Sequence, residues 1–169
     1  KYSARIQEGR QQKHNSSGLM QVRIKNFEDL TLNELYDLMA LRSAVFVVEQ
    51  DCVYQDLDYK DQKAIHVLGY ENKLLVAYTR LFGPGDYFKN ASIGRVIVTP
   101  AFRSKQLGHT IMKASILALQ ERYDMHQIEI SAQSYLERFY ETHGFKAEGA
   151  EYLEDGIPHK KMIKTTNNP

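Results

Sequence analysis

"GRVIVTPAFRSKQLGHTIM", residues 94 to 112, begins as an apolar, β-branched run and ends with helical spacing. Thr99-Pro100 stops the strand-like part, because proline disfavours continuation and biases the residue before it. A short loop follows, carrying Arg103, Lys105 and Gly108 at the mouth of the coming helix. The first N–H groups of a helix lack partners within it and carry partial positive charge, so an anion placed there meets amides and dipole together. Arg103 and Lys105 add two full charges, and Gly108 permits close approach of the backbone. A pyrophosphate suits that loop. A surface turn with two solvated cations is the competing reading of the loop taken alone.

Working outward, "ASIGRVIV" extends the strand upstream. Downstream, Ile111, Met112, Ile116, Leu117 and Leu119 repeat at helical spacing between Gly108 and Tyr123. "HQIEISA" then reads as a strand, which makes a strand–helix–strand crossover of the parallel type. Ligands favour the carboxyl end of such strands, where the opening loop falls. "SYLERFYETHGF" reads as a short helix, with Gly144 as its left-handed cap. "PHKKMIK" is a candidate last strand.

On the amino-terminal side, "MQVRIKNF" alternates as a first strand, with Val22 and Ile24 on one face. Thr31 and Glu34 have the spacing of a capping box for a helix whose apolar stripe is Leu32, Leu35, Leu38, Met39 and Phe46. "AIHVLGY" and "LLVAYTRLF", joined by Glu71-Asn72-Lys73, form an antiparallel hairpin. Strands in series followed by alternating helices and strands predict an α+β fold around a mixed sheet.

The chain has 169 residues, enough for one domain with a full core. Its 43% hydrophobic and 25% charged residues are ordinary for a globular protein. No apolar run approaches the roughly 18 residues needed to cross a bilayer, so no membrane role is expected. The single cysteine, Cys52, rules out an internal disulfide and fits a reducing, cytoplasmic compartment. The net charge of +1 comes from residues 1–19, where Lys1, Arg5, Arg10 and Lys13 face only Glu8. The remaining 18 basic and 20 acidic side chains sum to −2, which removes the basic footprint of nucleic-acid binding. Residues 1–19 show little periodicity and are expected to be a disordered leader or an added remnant, with the domain over 20–169.

Neither a P-loop nor a G-x-G-x-x-G follows any strand. The segment 103–108 is instead similar to the acyl-CoA loop of the GNAT acetyltransferases, [QR]-x-x-G-x-[GA], with Arg103 first and Gly108 last. Gln106 stands where the family usually has its first glycine. "SYLERFYETHGF" resembles the family's later motif, a helix bearing Phe-Tyr and closing with Gly-Phe. Met20 to Lys164 also resembles the ElaA branch through "LRSAVFVVEQDCVYQDLD", "IGRVIV" and "EDGIPH".

That resemblance implies a mixed, mostly antiparallel central sheet flanked by helices. It implies transfer of an acyl group, by expectation acetyl, from acyl-CoA to a primary amine by direct attack, with no metal. The co-substrate is expected on Ile97, Val98, Arg103, Ser104, Lys105, Gln106, Leu107, Gly108 and His109, with the Val98 N–H facing the developing oxyanion. Tyr140 takes the position of the acid that protonates the leaving thiolate, although a tyrosine merely packed in the helix–sheet seam would look the same. The base is open among Glu49, His66, Glu129 and His159. Glu49 could instead pair with Arg42 or Arg95, and His159 could line the acceptor side or simply pack.

Asp51, Asp56, Asp58 and Asp61 crowd one loop. Lys60 and Asp61 break the EF-hand pattern there, leaving a negative mouth for a cationic amine or a solvated loop. The expected partner is an amine, free or on a protein, and a homodimer is allowed. Two rivals stand beside the enzyme: a non-catalytic acyl-CoA-binding module, and a relative of acyl-homoserine-lactone synthases suggested by "RSAVFVVEQ".

Overall fold

A computed structural model describes residues 19–166. The expected leader lies outside the described residues except for its last residue, Leu19.

Seven strands form one sheet: β1 Gln21–Asn26, β2 Ile65–Glu71, β3 Leu74–Phe82, β4 Ala91–Val98, β5 Gln127–Gln133, β6 Lys146–Glu154 and β7 Ile157–Thr165. Their order is β1-β2-β3-β4-β5-β7-β6, and every neighbouring pair is antiparallel except β4 with β5. The helices are α1 Leu32–Arg42, α2 Leu107–Arg122 and α3 Glu137–Glu141. The sheet is mixed and mostly antiparallel, as the resemblance implied.

Local chemistry explains most boundaries. The Thr31 hydroxyl accepts the Glu34 N–H at 3.2 Å, while Glu34 Oε2 accepts the Thr31 N–H at 2.9 Å. Both halves of the capping box therefore start α1. Asn72 and Lys73 join β2 to β3 with φ of 50° and 67°, the paired left-handed residues of a tight hairpin whose twist matches its strands. Gly144, at φ 85°, lets the chain turn out of the helical stretch after α3.

Alternation along β3 separates two apolar clusters. Leu81 faces α2, packing with Ile111, Met112 and Leu119, and the Thr79 hydroxyl bonds Ser115 of α2 at 2.6 Å. Tyr78 faces the other way, toward Leu38 and Leu41 of α1 and Ile97 of β4. Successive strand residues point to opposite faces, so α1 and α2 cover opposite faces of the sheet.

Three expectations need correction. Leu32 is 86% exposed and lies off the stripe that buries Leu38. The α1 segment does not end as an α-helix but widens into a π-helical turn over Ser43–Glu49, with the Gln50 N–H reaching the Val45 carbonyl. β6 has no counterpart in the sequence reading. Its residues are exposed almost throughout and a bulge with Gly149 interrupts its register, so "KAEGAEYLE" carries no apolar alternation.

Candidate functional site

The parallel pair β4–β5 is joined only at Ala91–Ile128 and Ser92–Glu129. Beyond that point β4 continues to Val98 and β5 to Gln133 without pairing to each other. A bulge accounts for the divergence. Tyr78 of β3 faces Ile97 but Arg80 faces Gly94, so β4 holds one extra residue, and Arg95 takes it up with φ 50°. Such a bulge bends its strand and raises the local twist. The gap opens into a cleft of about 640 Å³.

The edges of this gap are backbone. The Thr99 N–H donates to Val76 of β3 at 2.9 Å. Peptide groups alternate along a strand, so the Val98 N–H points to the opposite edge, toward the gap. The Val98 carbonyl shares that edge and accepts Arg103 Nε at 3.1 Å. Gly94 keeps the floor low: a Cβ there would meet no protein atom within 4 Å.

At the loop end, Gln106 caps α2 with φ 58° and ψ 19°. A glycine adopts that left-handed conformation freely, whereas a side chain costs about 1 kcal/mol. The departure from the family loop thus retains the glycine's geometry. At Gly108 a Cβ would sit 3.4 Å from Phe139 and 3.8 Å from Val98, ordinary contact distances. Protein crowding does not require glycine there, and Gly108 borders the cleft. A low floor at Gly94, an open helix start and an unpaired strand edge fit a long thioester with a pyrophosphate at one end.

Both loop cations hold carboxylates. Arg103 grips Glu49 with two bonds, 2.6 and 2.9 Å, and Lys105 binds Glu71 at 2.7 Å while lying over the Phe102 ring. Glu49 therefore pairs with Arg103, not with Arg42 or Arg95 as sequence reasoning allowed. Ile97, Val98, Arg103, Gln106, Gly108 and His109 border the cleft, whereas Ser104, Lys105 and Leu107 do not. Ile97 and Leu107 bury their side chains in the two cores, leaving only backbone for a ligand. His109 Nδ1 shares a hydrogen bond with His143 Nε2 at 3.0 Å. Burial and the neighbouring His109, Lys113 and Lys164 push His143 down to about 4.

Tyr140 borders the cleft from α3 and is buried against the rings of Phe139 and Phe145. Burial, with a smaller contribution from Tyr135, pushes its phenol well above the usual tyrosine range. Of the base candidates, His66 is fully buried with both nitrogens engaged. A carbonyl only accepts, so Nε2 donates to the Asp61 carbonyl at 3.0 Å and Nδ1 accepts from the Tyr78 hydroxyl at 2.8 Å. Glu129 accepts from Asn90 and lies outside the cleft lining. His159 is in the lining; its Nδ1–H donates to the Ile157 carbonyl at 2.8 Å, which leaves the lone pair on Nε2.

Asp56, Asp58 and Asp61 form neither a negative mouth nor a solvated surface, and Asp51 alone of the four stays exposed. Asp56 binds Arg42 Nε and Arg95 Nε, each at 2.7 Å. Asp61 binds Arg42 at 2.6 Å and Arg80 at 2.8 Å, and Asp58 takes Arg80 through two bonds of 2.7 Å. Three arginines cancel these three aspartates, and Arg42 and Arg80 are 0% and 2% exposed. Burial raises the Asp58 carboxyl, but Arg80 outweighs it and holds the group down at about 2.

On the other side of the cleft, sequence reasoning named His159 but missed its neighbours. Ser131 and Glu154 border the cleft, and the Ser131 hydroxyl bonds Glu154 Oε2 at 2.6 Å and the Tyr152 hydroxyl at 2.5 Å. Cys52, too, lies in the lining, where its thiol meets the Asp155 carbonyl at 3.6 Å. "EDGIPH", with its turn signal Asp155-Gly156, pointed to this hairpin without assigning Glu154 a role.

Residues 29–166 match the acetyltransferase (GNAT) domain. The protein ElaA of Escherichia coli K12 is 39% identical over 138 residues, which span 80% of this chain and 90% of ElaA. The crystal structure of Escherichia coli ElaA superposes with a TM-score of 0.81 at 36% identity, covering 86% of this chain and 99% of that one. An acyl-CoA N-acyltransferase from Pseudomonas aeruginosa superposes with a TM-score of 0.79 at 39% identity, covering 85% and 99%. A CoA-dependent acyl-homoserine lactone synthase reaches 0.71 at 15% identity, covering 87% and 83%, which is a likeness of fold alone.

Proposed function

This chain belongs to the GNAT acetyltransferase family, and on that premise we propose that it transfers an acyl group, most simply acetyl, from acyl-CoA to a primary amine by direct attack. The observation that carries this reading is the unpaired strand edge from Gly94 to Val98 facing the gap beside β5. An extended pantetheine arm pairs with such an edge as an added strand does. Arg103, the amides at the start of α2 and the space beside Gly108 would hold the pyrophosphate. Acyl-CoA supplies the activated carbonyl, and this chain's residues supply the rest.

In this reading the Val98 N–H donates to the carbonyl oxygen as it gains charge. The amine nitrogen bonds the carbonyl carbon, the C–S bond breaks, and its electron pair leaves on sulfur. Tyr140 faces that sulfur with a hydroxyl that burial keeps protonated. Such a phenol is a firm hydrogen-bond donor, and complete transfer to a thiolate of ordinary pKa near 8.5 is uphill. His159 Nε2 takes the proton that the attacking amine must lose.

The test has two parts. Desulfo-CoA at a hundredfold excess over its Kd should stabilise the protein by about 2.7 kcal/mol, visible as a higher Tm. Thiol release from acetyl-CoA across a panel of primary amines then separates an enzyme from a module that only binds CoA. Tyr140→Phe removes that hydrogen bond to the leaving sulfur and should lower kcat by about 10²- to 10³-fold with KM for acetyl-CoA unchanged. Normal turnover by Tyr140→Phe would remove the phenol from the mechanism.

A further inference from the structure

We infer that Glu154 receives the acceptor's ammonium group, so that this protein selects primary amines that dock as cations at the β6–β7 hairpin. The inference rests on the acyltransferase reading and deepens it.

The cleft borders several cationic side chains, Arg80, Arg95 and Arg103 among them, but its acidic lining is confined to Glu154 and Asp155. Four carboxylates held by arginines beside the cleft are already engaged. Asp56, Asp58 and Asp61 are bound by the buried arginines, and Glu49 is gripped by Arg103. A cationic amine entering the cleft therefore finds its counter-charge at the hairpin.

Glu154 is also held for the task. It ends β6 opposite Ile157, across a two-residue turn in which Asp155 and Gly156 have φ of 51° and 77°. The turn is the tight left-handed kind, so a strand end and not a loose loop carries the carboxylate. A carboxylate only accepts, so Ser131 must donate to Glu154 Oε2, and the Tyr152 hydroxyl must then donate to Ser131. That directed chain orients one carboxylate oxygen. No described residue donates to the other, Oε1.

The position relative to the chemistry follows from register. Ser131 lies two residues beyond Glu129, the last β5 residue paired with β4, so it stands on the open lip of the gap. His159 of β7 lies opposite Tyr152 on β6 and opposite Gln133 on β5, and the Tyr152 ring stacks on it with centroids 6.2 Å apart. One hairpin thus presents a carboxylate for the ammonium and an imidazole for its proton.

The experiment takes the amine of the panel that wild type turns over best. Glu154→Gln keeps the size and the bond from Ser131 but loses the charge. It should raise KM for the amine about tenfold to a hundredfold, the worth of one charged hydrogen bond, while KM for acetyl-CoA and Tm stay put. Ser131→Ala should shift amine KM the same way by less, since it only frees the carboxylate. If Glu154→Gln lowers Tm, Glu154→Asp must restore amine KM toward wild type. Should CoA bind but no thiol be released, the acyltransferase reading fails separately. Glu154 is then read by titrating butylamine, putrescine and benzylamine onto CoA-saturated wild type and variant, with the same fold-loss expected. Amine KM or Kd in Glu154→Gln within twofold of wild type overturns the inference, as does a wild type that binds no amine of the panel.

Discussion

Two sets of arginine–carboxylate contacts share this molecule, alike in length and opposite in surroundings. Under the cleft, Arg42 and Arg80, themselves almost unexposed, meet the carboxylates of Asp56, Asp58 and Asp61 at 2.6 to 2.8 Å. At the cleft mouth, Arg103 meets Glu49 at 2.6 and 2.9 Å, but the two side chains keep 48% and 35% of their exposure. In the buried set, removing one partner strands a charge away from water, so each residue depends on the others. At the mouth, water and salt can replace either partner, and so can a phosphate. Equal geometry thus serves two ends: the first set fixes the loop before β2 against the sheet, and the second, under the proposed function, would hold Arg103 until a phosphate displaces Glu49.

The sharpest way to break the comparison is to delete a carboxylate from each set. Asp61→Ala leaves Arg42 and Arg80 short of a partner and should cost about 3–5 kcal/mol in urea unfolding. Glu49→Ala should cost less than about 1 kcal/mol. Comparable losses would mean that exposure does not divide the two sets.

Acid separates them next. Burial raises Asp58 and Asp61, but their arginines outweigh it, leaving Asp58 at about 2 and Asp61 below its usual value. A carboxyl whose folded pKa is depressed contributes stability that is complete above its unfolded value, about 3.9, and is lost as pH falls through the folded value. Stability should therefore fall between about pH 4 and pH 2, and Asp58→Asn should flatten that acid limb. A chemical-denaturation series across this range checks both.

The smallest effects belong to the mouth. Arg103→Ala should weaken desulfo-CoA binding about tenfold or more by calorimetry, through loss of a charged hydrogen bond. Glu49→Gln should do the reverse and tighten it by up to about fivefold, the worth of an exposed ion pair that phosphate no longer has to displace. Weaker binding in Glu49→Gln would show that Glu49 presents Arg103 to the ligand instead of competing for it.

Much of the frame was legible in the residues. The strand–loop–helix of 94–112, the capping box at Thr31 and Glu34, and the hairpin at Asn72-Lys73 all announce themselves through local chemistry. β6 did not, because an exposed edge strand with a bulge needs no apolar alternation. In the site, the loop motif and "RFYETHGF" singled out Arg103, Gly108 and Tyr140, while Ser131 carried no motif and Glu154 stood in "EDGIPH" with no role assigned to it. The aspartates were visible as a group, but their partners were not.

What the sequence determined by itself is whatever depends on neighbours within a few residues: helix starts, turns, strand periodicity and the order of motifs that marks the family. Backbone hydrogen bonding and side-chain alternation act at that range, so they leave a periodic trace. Tertiary structure alone decided which charge meets which. Arg95 finds Asp56 across 39 positions, Arg103 finds Glu49 across 54, and Ser131 finds Glu154 across 23. A carboxylate is drawn equally to any arginine along the chain, and only the folded sheet, by burying some partners and leaving others in water, selects among them.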